Sequence, residues 1–352
     1  MWHSIGVRMG LGTVRGVALA CSILLPVLGC THSETVASAS KASGGGPIDP
    51  PLFPVHHDYP AWSAQGLIAY EDNGIVCLDS LSGAYFPDTT LAGLWIVNPS
   101  TGDKRRLLPT GTMPAWSRDG TKLAVVVGVD IFTMNADGSE LRRLTSGGSN
   151  LFPSWNIDAT WIAFQRTNSA FPNVWIMRPD GSDKQIAGDE AGEYPCWSPV
   201  EPVILHTRSL VGFAAPELYT MDERLHFLNA SRITNDGAYD RAPDYSPDAR
   251  QIAFSSQWRQ GTIKPQIWVM NSDGTGVRQL TQGGGRHPSW SPDESKIVYT
   301  RYDATVNTEK NGVLWVIDMT TGTESQLTFK WSQRCSTSVA DVSWTGVKQK
   351  FR

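Results

Sequence analysis

From residue 58 to 345 the chain alternates short apolar runs with polar turns, and nowhere does an apolar stripe recur at the helical period. Runs at 67–70, 123–126, 161–164, 203–206, 251–254 and 296–299 each predict a strand. Ahead of each stands the same short unit. It reads Pro60-Ala61-Trp62-Ser63, Pro114-Ala115-Trp116-Ser117, Pro153-Ser154-Trp155-Asn156, Pro195-Cys196-Trp197-Ser198, Pro243-Asp244-Tyr245-Ser246 and Pro288-Ser289-Trp290-Ser291. A partial seventh copy is Val342-Ser343-Trp344-Thr345. Copies recur at the length of one four-stranded propeller blade, roughly 40–50 residues.

Each copy keeps one internal order. A tight turn and the apolar strand are followed by a third strand with an aromatic at a fixed place: Trp95, Phe132, Trp175, Tyr219, Trp268 and Trp315. Asp137-Gly138, Asp180-Gly181 and Asp273-Gly274 then supply the positive φ of tight hairpins. A fourth strand ends in a Leu/Ile-Thr pair, as at Leu144-Thr145, Ile233-Thr234, Leu280-Thr281 and Leu327-Thr328. Six such units predict an all-β, six-bladed β-propeller of four-stranded antiparallel blades over residues 58–352, whose aromatic columns are packing between blades. Seven blades is the alternative. The remnant at 341–351 offers only two strands and is expected to close the ring beside the first blade.

The repeated PxWSxDG…IAF…IWxMNxDG…LT pattern resembles the propeller repeats of the TolB family. The resemblance spans residues 58–345. It implies a WD-like propeller of the periplasm or cell surface, used for protein association. TolB proteins carry an α/β domain ahead of the propeller, whereas only a short polar segment precedes it here, so the family's role in the Tol complex is not carried over.

That N-terminal segment changes the picture most. Residues 1–15 are cationic and 16–29 are apolar, too short to cross a hydrocarbon core of roughly 30 Å as a helix. Residues 1–29 therefore read as a signal peptide. The run ends at Val27-Leu28-Gly29-Cys30, which resembles the lipobox of bacterial lipoproteins, though Val27 and Leu28 depart from its usual form. Lipidation at Cys30 is expected, followed by a tether over 30–57 rich in Ser, Ala, Gly and Pro. The resemblance, with Thr31 after the cysteine, leans towards the outer membrane or outer surface.

Cleavage at residue 30 leaves a net charge of about −6, which carries no electrostatic footprint for nucleic acid or anionic lipid. Cys77, Cys196 and Cys335 have neither a disulfide framework nor metal-ligand spacing, and a Cys77–Cys335 pair is left open. No Gly-x-Ser-x-Gly elbow, HExxH, EF-hand loop or P-loop occurs, so no enzyme, cofactor or metal is expected. Propellers of the oligogalacturonate lyases resemble this one and hold a metal through histidines. Of the histidines here, His206 shares a column with Phe164 and Phe254, and His287 alone stands where a ligand could bind.

Loop lengths point to a working face. With the first strand innermost, the 4→1 and 2→3 loops share one mouth, and the 2→3 loops at 71–93, 209–216, 257–265 and 302–312 are the ones that grow. Arg166, Arg208, Arg241, Arg286 and Arg301, with His287 and Tyr194, fall on that side. These are the candidate binding residues. The first reading is a monomeric, lipid-anchored envelope module that binds a protein or peptide there. The second is a binder or lyase-like enzyme acting on acidic carbohydrate, with the arginines holding carboxylates.

Overall fold

The computed structural model describes residues 57–78, 85–88, 92–168, 171–209, 215–223, 227, 230–302 and 312–328. The signal peptide, Cys30, the tether, Cys335 and the remnant at 341–351 lie outside them. No helix among the described residues is long and apolar enough to cross a membrane. Six four-stranded antiparallel sheets form six blades, each built from strands consecutive in the chain apart from one insertion. In blade one the strands are His57–Trp62, Ile68–Asp72, Gly93–Val97 and Lys104–Leu108. The insertion is a hairpin of Ile75–Leu78 and Tyr85–Asp88 in the loop between its second and third strands.

The repeat signals each do a local job. In the first turn, Ser117 Oγ donates to Asp119 and accepts from Lys122 N–H, and Ser246 and Ser291 repeat this with Asp248 and Asp293. Asp137, Asp180 and Asp273 accept from the side chain and N–H of Ser139, Ser182 and Thr275, which holds their carboxyls below the usual range. The threonine of each Leu/Ile-Thr pair turns back. Thr145, Thr234, Thr281 and Thr328 accept the N–H of Ile131, Leu218, Ile267 and Leu314 at the start of the third strand.

The third-strand aromatics sit opposite Tyr70, Val125, Phe164, His206, Phe254 and Tyr299 of the second strand. Apolar clusters join one blade to the next, as Ile68, Tyr70 and Trp95 of blade one do with Val298 and Leu314 of blade six. His206 is buried beside Tyr219, and burial lowers its pKa to about 4. It is a neutral core residue.

The ring is stitched along the innermost strands. Trp116 and Trp155 donate their indole N–H to the carbonyls of Ala61 and Ala115 in the preceding blade. Where the residue between Pro and Trp is polar, its side chain accepts the next blade's backbone instead. Ser154 takes Trp197 N–H, Asp244 takes Trp290 N–H, and Ser289 takes Trp62 N–H to join blade six to blade one. That last seam also holds His57 between Thr328 and Asp72, at 2.9 and 3.0 Å.

Candidate functional site

A single backbone irregularity, repeated six times, shapes the centre. The residue before each repeat proline has a left-handed φ: Tyr59 (50), Met113 (50), Phe152 (52), Tyr194 (51), Ala242 (49) and His287 (51). The pairing register shifts there in every blade, between Asp58 and Ala61 and at the matching places. Non-glycine residues at positive φ cost roughly 1–2 kcal/mol each and persist only where surrounding structure imposes them. A bulge re-aims side chains, and here all six line the central cavity.

The rings meet across the axis. Tyr59 lies 4.3 Å from His287 and 5.9 Å from Phe152, and Phe152 lies 4.2 Å from Tyr194, centroid to centroid. His287 Nδ1 is 2.7 Å from buried Asp58, which also accepts from Tyr59 N–H, Thr300 and Tyr302. Burial raises the pKa of Tyr59, Tyr194 and Tyr302, keeping them neutral donors.

A cavity of about 450 Å³ runs from this aromatic layer to the 1→2 turns, where Arg118, Pro199, Pro247 and Pro292 frame it. Its wall contains the partly exposed Asp244, whose carboxylate meets Trp290 N–H and lies 3.8 Å from the Cys196 sulfur. Cys196 is unbridged, and burial pushes its thiol up. Burial likewise pushes Asp244 from its ordinary 3.8 to about 7. The folded state therefore holds this proton more tightly than the unfolded chain. The favourable contribution is complete below the ordinary value and is lost as pH rises through about 7. A dry group would give about 4 kcal/mol, but solvent in the channel screens this one, and about 1–2 kcal/mol is expected. Asp244→Asn should flatten the fall in stability between about pH 4 and 7 by about that amount in urea melts; an unchanged slope would contradict it.

On the opposite side of the aromatic layer a second cavity, about 370 Å³, opens among the long loops. Tyr194, Arg241, Arg286 and His287 line it together with Tyr239 and Trp258. The 4→1 and 2→3 loops therefore share this mouth, and four of the seven candidate residues converge there. Arg286 lies 5.2 Å from the Tyr302 ring, and Trp258, half exposed, meets Tyr239 edge-on at 4.2 Å.

The other three arginines lean outward along their blades. Arg166 lies over Trp175 at 5.0 Å, Arg208 over Tyr219 at 5.1 Å and Arg301 over Trp315 at 4.1 Å. Arg301 is held further by Tyr299 Oη, the Gly284 carbonyl and Glu324. The six pre-proline residues hold one place in the repeat, and nothing in the sequence signals the bulge that turns them inward. Tyr239 and Trp258 were missed because neither occupies a repeat position.

Among the described residues the one cluster with cation-ligand geometry is Glu217, Asp236 and Asp240, with one oxygen of each within 4.8 Å of the others. Among the described residues no three-histidine set faces either cavity: His206 is core and His57 is fixed in the seam between blades six and one.

Residues 190–340 match the TolB beta propeller domain family. A curated, uncharacterized protein of Agrobacterium fabrum is 26% identical over 224 residues, 58% of this chain. The chain spans about 60% of that relative's length. Among solved structures, an Agrobacterium tumefaciens protein assigned as TolB is similar at 23% identity and a TM-score of 0.59, covering 66% of this chain and 87% of that one. TolB from Acinetobacter baumannii is 19% identical, with a TM-score of 0.59 over 74% and 63% of the two chains. An oligogalacturonate lyase in complex with manganese is 15% identical, with a TM-score of 0.52 over 79% and 78%. At these identities the solved structures share the fold.

Proposed function

We propose that this TolB-like propeller is an exported module of the cell envelope, anchored through Cys30, that captures an anionic group of a partner protein at its long-loop mouth. The observation that carries this reading is the convergence of Arg241 and Arg286 with Tyr194 and His287 in one cavity beside the Tyr239–Trp258 shelf. The guanidinium fork meets a carboxylate through two parallel hydrogen bonds, and aromatic walls lower the local dielectric and strengthen them. Phe171, Trp258 and Ile263, all exposed on 2→3 loops, add apolar contact area around the same mouth. An anionic ligand fits this opening better than the turn-side cavity, whose wall holds Asp244.

The test begins with capture of the partner from the native envelope by the mature protein. Replacing both Arg241 and Arg286 by Ala should weaken that partner's binding at least tenfold, about 1.4 kcal/mol, while the melting temperature changes little. Unchanged affinity in the double variant, or cross-links that map to the 1→2 turns, would overturn the assignment of the face. The second reading, action on acidic carbohydrate, is favoured by His287 lining the same cavity as the two arginines and the aromatic shelf. Chelator-sensitive depolymerisation of an acidic polysaccharide by the purified protein would put that reading in place of the first.

A further inference from the structure

Four of the six seams between blades share one backbone bond, so each of the four serves as a control for the others. Three residues before the repeat proline, the backbone N–H bonds back to the residue just ahead of the preceding blade's third strand. Asn150 reaches Val129 O, Gly192 reaches Pro172 O, Asp240 reaches Pro216 O and Gly285 reaches Pro265 O, at 2.8–2.9 Å. The side chain at this place enters the seam. Between blades two and three it is Asn150, whose amide nitrogen sits among three oxygens: Asp130 Oδ1 at 3.2 Å, Val129 O at 3.3 Å and Gly147 O at 3.2 Å.

Between blades four and five the same place holds Asp240, and Glu217 stands where Asp130 does. Asp236 occupies the loop position of Gly147. Where the sister seam places an amide donor among acceptors, this seam places a third carboxylate. Two arginines offset part of the charge. Arg232 bonds Glu217 Oε1 at 2.9 Å, and Arg259 bonds Asp240 Oδ2 at 2.6 Å and Asp236. Three carboxylates facing two guanidinium groups leave one negative charge over. Asp240 Oδ1 and Glu217 Oε2 are both buried with no hydrogen-bond partner among the described residues, and an orphaned buried carboxylate oxygen is costly.

We propose that this seam is a divalent-cation site, suited to calcium, in which Glu217, Asp236 and Asp240 supply carboxylate oxygens. The chemistry fits a hard cation. All three donors are oxygens within 4.8 Å of one another, which Ca–O bonds of about 2.3–2.6 Å can span. Glu217 and Asp240 are fixed in strands, whereas Asp236 is exposed and gives access from solvent. The ion takes the place of the Asn150 amide and ties the 4→1 loop of blade four to blade five. Asp240 and Arg241 are adjacent, so an occupied seam also steadies one side of the long-loop cavity.

The experiment uses the full mature protein stripped with a chelator. Adding 1 mM calcium at neutral pH, roughly a hundredfold over a dissociation constant of about 10 μM, should raise the melting temperature by roughly 5 °C. Terbium should give tryptophan-sensitised luminescence that calcium displaces. Asp240→Asn copies the sister seam, so it should fold and lose both responses. Should that variant fail to fold, Asp236→Asn, at an exposed position, should lose them. No calcium response in the wild type, a response that survives in the folded variants, or stability that follows pH and ignores calcium would each overturn the proposal.

Discussion

Replacing Asp58 by Ala should lower the stability of the propeller by about 3–4 kcal/mol, the cost of leaving several buried polar partners unsatisfied at once. Asp58 is buried on the innermost strand of blade one, and two of its partners, Thr300 and Tyr302, lie on the second strand of blade six. A third, His287, lies on that blade's innermost strand at 2.7 Å. A propeller gains its stability by closing, since each blade covers its faces only with its neighbours. The loss therefore falls on the one seam that joins the ends of the described ring. For a domain of this size the melting temperature should drop by roughly 6–12 °C. Asp58→Asn should fall between, because an amide replaces one acceptor oxygen and keeps the other. A melting temperature within a degree or two of wild type for Asp58→Ala would show that the apolar cluster of Ile68, Tyr70 and Val298 closes this seam unaided.

How far the sequence foretold this depends on the range of each interaction. Blade number, strand order and the fixed aromatics were legible, because each rests on a period or on a turn whose chemistry lies within a few residues. Asp137 with Ser139 is such a case: both partners sit in one hairpin. The Leu/Ile-Thr pair was visible as a pattern, but its purpose was not, since Thr145 bonds a strand 14 residues back. The bulge before each proline was illegible for a stronger reason. A strand's side chains alternate, so one extra residue reverses which of them face the channel. Nothing local to Tyr59, Phe152, Tyr194 or His287 therefore announces that the fold uses them as an axial layer. The arginines divided the same way. Arg241 and Arg286 precede the bulge and reach the mouth. Arg301, at the end of a second strand, instead meets Glu324, a partner 23 residues away that only pairing across the blade brings near.

The position three residues before each proline explains a choice that composition alone left unexplained. It reads His57, Gly111, Asn150, Gly192, Asp240 and Gly285. A side chain there must enter a seam between two packed sheets, so it is either a polar group with partners in the seam or absent. The glycines are where the neighbouring blade has filled the space. A Cβ on Gly285 would stand 2.5 Å from Ile267 Cγ1 and 3.1 Å from the Tyr299 ring, both fully buried. On Gly192 it would stand 2.8 Å from Val174 and 3.0 Å from the His206 ring. Gly285→Val should therefore force blades five and six apart. Interiors at this density have no slack to absorb two branched methyls, and overpacking of this kind costs about 1–3 kcal/mol even where relaxation is possible. Here the obstacle belongs to a sheet fixed on both faces, so the upper end, about 3 kcal/mol, is expected. Urea titration should show the midpoint moving down with an unchanged slope, because the unfolded chain is the same length and exposes the same surface. Pairing the change with Ile267→Ala, which vacates the space a Cβ would invade, should recover part of the loss. If the double variant is no more stable than the sum of two independent losses, the two positions do not share that space, and the seam is not closed in the way the structure shows.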